Sequence, residues 1–120
     1  MMKRILLWAL TLFTAGMFLF AGAMKLSAQP MMVATFAQIG LGQWFRVFTG
    51  TLEVVGALLL LVPATAAFGA LLLGVVMVGA IATHLFLIGG NPLMPIVLLA
   101  ISIAIAYLRR EQISSVLSVA

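Results

Sequence analysis

The stretch that decides the fold is RVFTGTLEVVGALLL, residues 46–60. Its apolar run suits a membrane-crossing helix, yet it carries an arginine and a glutamate seven residues apart. On an α-helix that spacing returns to nearly the same face, so Arg46 and Glu53 share a stripe with a rise of roughly 10 Å between them. Thr49, Gly50, Gly56 and Ala57 fall on the same stripe, and Val, Leu and Phe cover the rest. Charge is costly in hydrocarbon, so such a stripe is expected to face other helices, where small residues permit close approach.

The composition around this stretch points the same way. The 120 residues are 66% hydrophobic and 7% charged, with a mean hydropathy of +1.37. That is too little charge to cover a water-soluble domain. Nearly every window long enough to cross a bilayer is apolar, and none alternates as a barrel strand would. The expected fold is therefore all-α: a polytopic membrane protein forming one domain over residues 1–120, an antiparallel bundle of four transmembrane helices. The spans are placed at about 5–25, 44–62, 66–88 and 92–108, with a short interfacial segment at 27–43 between the first two.

Punctuation residues set these limits. Pro30 suits the first turn of a short surface helix on which Met31, Met32, Thr35, Phe36 and Ile39 share a face, and the glycines at 40 and 42 end it. Trp44 and Phe45 suit an interfacial anchor. Pro63-Ala64-Thr65 makes a tight turn in which Thr65 can cap the next helix. Gly89-Gly90-Asn91-Pro92 makes another, with Asn91 as cap and Pro92 as the first helical residue. MMKR followed by an apolar core and AGAMKLSAQ also fits a signal peptide, but a core of about 20 residues exceeds the roughly 7–15 of a signal sequence, so a retained helix is expected.

The net charge of +4 is not a nucleic-acid footprint. Lys3, Arg4, Arg109 and Arg110 sit at the chain ends, which places both termini in the cytoplasm and the chain in the cell (inner) membrane. Lys25 and Arg46 fall on the opposite side, and a bias of four to two leaves dual topology open. The absence of cysteine excludes disulfides, thiolate catalysis and Cys-ligated clusters. With a single histidine, no metal site is expected.

Glu53 is the one carboxylate that this layout puts inside the membrane. Lys25 ends the first helix, Arg46 begins the second and His84 lies near the end of the third, all on the outer side. Lys25, Arg46, Glu53 and His84 are thus the candidate ligand-binding or buried polar site, and no catalytic residue is assigned. A buried carboxylate must pair with a cation or be protonated. Plainer readings stay open: Lys25 and Arg46 as snorkelling anchors, His84 as a packed core histidine, and the Glu53 pair as a structural lock. Gly22, Gly50, Gly56 and Gly74 are read as helix-packing positions.

The runs GMFLFAGAMKL (16–26), GTLEVVGALLLL (50–61) and GVVMVGAIATHL (74–85) together resemble the DoxX and DoxX-like membrane proteins over residues 5–108. The resemblance carries over to Gly22, Lys25, Glu53 and Gly56, and more loosely to His84. That family takes its name from a subunit of a thiosulfate:quinone oxidoreductase; other relatives belong to membrane oxidoreductase assemblies or act as chaperones or cargo receptors. It implies a small-molecule subunit of a membrane redox assembly, with a quinone as the candidate cofactor. Oxidoreductase subunits or a second copy would be its partners, along with the lipid bilayer. Electrons would come from a partner, so catalysis by this chain alone is not expected. A non-catalytic membrane scaffold and a small proton-coupled transporter are the alternatives.

Overall fold

The computed structural model describes residues 2–119, with side chains to residue 116. The described residues form helices and no strand: α1 (Met2–Leu26), α2 (Pro30–Ile39), α3 (Gln43–Leu61), α4 (Ala66–Thr83), α5 (Leu93–Leu108) and α6 (Arg110–Val119). A 3-10 turn, Pro63–Thr65, joins α3 to α4, and a π-helical turn, His84–Ile88, extends α4. Three segments are long and apolar enough to cross a membrane: α1, α3 and the run Pro63–Ile88. The fourth is α5 together with α6, if that pair, bent by 62°, counts as one span.

The helices run past each other where small residues let them. A Cβ on Gly22 would lie 2.7 Å from Val54 Cγ2, and one on Gly50 would lie 2.9 Å from Lys25 Cβ, so α1 and α3 cross in opposite directions with their backbones close together. Gly69 is tighter still: a Cβ there would come within 2.6 Å of the Leu60 nitrogen and 2.7 Å of the Gly56 oxygen. Gly56 faces Leu73 and leaves no room for a methyl group, whereas a Cβ on Gly74 would make ordinary contact with Leu99 and Ser102. Phe18, Leu60, Leu73 and Ile105 fill the core with Ala15, Ala57 and Ala70. Close packing of these side chains to high density is what holds the helices together.

Several local devices differ from what the sequence suggested. Thr65 stands at the N-cap of α4 but makes no side-chain cap bond there; its hydroxyl donates to the Leu59 carbonyl at 2.8 Å and so closes the end of α3. Asn91 accepts the Leu93 amide at 2.9 Å, with Pro92 as the residue just outside α5. The third span ends in a π turn rather than in regular helix, and Gly89 and Gly90 then reverse the chain with φ of 71° and 86°, values that suit glycine. Beyond Leu108 the chain continues as α6. Its anchor is Gln112, whose Oε1 accepts the Ala67 amide at 3.0 Å while its Nε2 donates to the Pro63 carbonyl at 2.5 Å. One side chain thereby bridges two backbone groups of the α3–α4 turn, the Ala67 amide and the Pro63 carbonyl, which also accepts the Ala66 amide.

Candidate functional site

At the end of the molecule away from the Pro63 turn, the helices leave a cavity of about 520 Å³. Lys25, Glu53 and His84 all line it, and most of the remaining wall is apolar: Phe36, Phe45, Leu52, Met77, Met94 and Leu98. Its side nearest the chain's first loop is closed by α2. Pro30 starts this helix and Gly40, in the left-handed conformation with its amide on the Phe36 carbonyl, stops it. Phe36 is buried edge-on to Phe45, with ring centres 5.7 Å apart. The segment read from sequence as a surface helix thus also supplies Met32, Thr35, Phe36 and Ile39 to the cavity wall.

The polar centre is an ion pair. Lys25 Nζ lies 2.8 Å from Glu53 Oε1, with the side chains 15% and 3% exposed. It is the one polar contact this oxygen makes among the described residues. The α1–α3 crossing at Gly22 and Gly50 makes the pair geometrically available, because it brings the last turn of α1 beside the first half of α3. An ammonium carries three donor hydrogens, so Lys25 retains capacity toward a ligand while holding Glu53.

His84 reaches the cavity from the π turn. Its Nδ1 donates to the Gly89 carbonyl at 2.9 Å; a carbonyl can only accept, so the proton on that nitrogen is assigned by its partner. The other ring nitrogen then accepts when the imidazole is neutral and donates when it is charged.

Arg46 does not join these three in the cavity wall. Its Nη1 donates to the Lys25 carbonyl at the C-terminal end of α1, a favourable place for a cation. Its Nε donates to Gln43 Oε1 at 2.9 Å, and Gln43 in turn donates to the Val33 carbonyl at 3.1 Å. Arg46 therefore ties together α1, α2 and α3, which positions the wall that α2 provides. Among the described residues, no three His, Cys, Asp or Glu side chains gather at one place.

What this arrangement can do chemically follows from its parts. Cavities of about 300–1,000 Å³ with apolar walls and a few placed polar groups are the usual form of small-molecule sites. Here an ammonium, a carboxylate and an imidazole offer donors, an acceptor and a group able to take or release a proton. The sequence assigns Phe36 to a surface-helix face and Phe45 to an interfacial anchor rather than to a cavity wall, and it does not single out the Gly89 carbonyl. The shared face of Met32 and Phe36 is the signal for the first, but nothing local marks the carbonyl.

The model of the DoxX-like family matches residues 9–105. No curated protein and no solved structure matches the chain.

Proposed function

The chain belongs to the DoxX-like family, and from that premise we propose that it is a four-crossing protein of the inner membrane whose cavity takes a quinone-type small molecule, as a subunit of a membrane redox assembly. In this reading the bundle is antiparallel and both termini are cytoplasmic, with Lys3, Arg4, Arg109 and Arg110 on that side. The observation that carries it is the apolar cavity of about 520 Å³ with Lys25, Glu53 and His84 in its wall. A quinone head group presents carbonyl acceptors on an apolar ring. Lys25 and a protonated His84 can donate to such oxygens, while Met, Phe and Leu side chains enclose the ring and its tail. When bound, the quinone would supply the redox chemistry; the chain's own residues bind it, exclude water and hold a proton near it. Electrons would come from a partner oxidoreductase subunit.

A second reading has a specific observation in its favour. Glu53 is already paired with Lys25 at 2.8 Å, which a purely structural lock in a scaffold would also show. The small proton-coupled transporter would use the same carboxylate, and it predicts proton release from Glu53 when a cationic drug is added. Native mass spectrometry of the protein extracted gently from its own membrane separates these. The redox reading expects a stoichiometric quinone-mass ligand that is lost in Glu53→Gln. An empty cavity alongside a stoichiometric protein partner would make the chain a scaffold.

A further inference from the structure

Five buried side-chain polar atoms make no hydrogen bond among the described residues: Thr11 Oγ1, Thr14 Oγ1, Glu53 Oε1, Ser102 Oγ and Arg109 Nε. Glu53 has its ion pair, but the three hydroxyls have no polar contact at all, and their side chains are essentially inaccessible. Three other helical threonines of this chain behave differently. Thr35, Thr51 and Thr83 each donate to the carbonyl four residues back, at 2.8, 2.7 and 2.8 Å, which is how a helical threonine satisfies itself. The two that are fully buried, where an unsatisfied hydroxyl is most costly, do not. An orphaned polar group in a dry interior is costly; buried water is the usual remedy.

The helix register sets the level of each of these atoms along the bundle. Lys25 against Gly50 and Gly22 against Val54 put Glu53 level with residue 22 of α1. Gly56 against Leu73 and Gly69 against Leu60 put it level with residue 76 of α4, and Gly74 against Leu99 and Ser102 carries that level to residues 98–99 of α5. At 1.5 Å per residue, Ser102 then lies about 5 Å below Glu53, Thr14 about 12 Å below, and Thr11 and Arg109 about 16 Å below. The five atoms therefore descend from the cavity to the end of the molecule where the Pro63 turn lies. Helix α1, which carries both threonines, packs on α3 and also touches α5, which carries Ser102.

We propose that Ser102, Thr14 and Thr11 hold a file of buried water that carries protons between Glu53 in the cavity and the Arg109 end of the molecule. Each hydroxyl both donates and accepts. A proton entering at one end and another leaving at the other restores every group, and no electron moves. The water file stands on the orphaned hydroxyls alone; its use, delivering protons to a ligand that exchanges them, rests on the quinone reading.

Water-edited solid-state NMR of the full-length chain in lipid bilayers tests the file without any ligand. Magnetisation from water is expected to reach the Thr11, Thr14 and Ser102 Cβ atoms several-fold faster than Leu73 and Ala57. Equal, slow transfer to all five would overturn the proposal. In proteoliposomes with an enclosed pH dye, Thr14→Val and Ser102→Ala, which keep shape and remove the hydroxyls, should each lower proton flux several-fold relative to the parent chain. Wet hydroxyls with unchanged flux would reject proton transfer. A dry file leaves a quinone found by mass spectrometry untouched, and an absent quinone leaves a wet file untouched, so the two readings fail separately.

Discussion

The two ends of this helical assembly are made from the same kinds of residue and pack to opposite effect. At the Pro63 end, Gly69 seats α4 on the backbone of α3, with Leu60, Leu73 and Ile105 closing the interior. At the other end α4 passes into a π turn, α2 lies against α3 and that turn, and about 520 Å³ is left open. Hydrophobicity does not distinguish the two. What does is where a glycine seats α4 on the backbone of α3, and where the π turn and α2 line an open space instead.

The largest effect that would break this comparison lies in the charge pair. Removing one partner of a buried ion pair leaves the other uncompensated, at about 3 kcal/mol. Lys25→Met should therefore lower the unfolding midpoint in detergent strongly, and Lys25→Met with Glu53→Gln should recover most of the loss, since the two changes are coupled through one contact. If the single variant were as stable as the parent, the cavity end would be wet enough to solvate Glu53, and the contrast with the Pro63 end would be one of hydration rather than of packing.

A smaller effect separates the glycines. Gly69→Ala drives a methyl group into the backbone of Leu60 and Gly56, which cannot rotate away; overpacking of this kind costs about 2 kcal/mol. Gly79, which lines the cavity, has nothing within 4 Å of where a Cβ would sit. Gly79→Ala should be neutral or stabilise by up to about 1 kcal/mol through helix propensity. Thermal unfolding of the two variants side by side gives the comparison directly, and equal losses would refute it.

Much of this was legible from sequence because it depends on composition along the chain. Proline and glycine punctuate an otherwise unbroken apolar chain at 63–65 and 89–92, and the helices break there. Lys25, Arg46 and His84 could be assigned to one end because each lies near the limit of its apolar run, and Glu53 because it shares a helix stripe with Arg46. Which cation meets Glu53 could not be read, since Arg46 shares its helix and Lys25 does not. The choice is made by the α1–α3 crossing, and by the Lys25 carbonyl that takes the guanidinium instead. The π turn and α6 were equally hidden: one depends on how the chain reverses at Gly89, the other on a contact 45 residues distant in sequence.

That distant contact gives the smallest and most discriminating prediction. Residues 110–119 are too polar for hydropathy to reveal them, and α6 is bent by 62° from α5. What keeps it in place is Gln112, which bridges the Ala67 amide and the Pro63 carbonyl, with Arg109 Nη1 at 3.4 Å from the same carbonyl. Gln112→Ala removes two hydrogen bonds but leaves the apolar core of the Pro63 end intact, so the loss should be about 1 kcal/mol. Hydrogen exchange should locate that loss: faster exchange at Ala67 and across α6, with α1, α3 and the lining of the cavity unchanged. Exchange that quickened around Lys25 and Glu53 as well would mean that the two ends are coupled, and that the tight end sets the width of the open one.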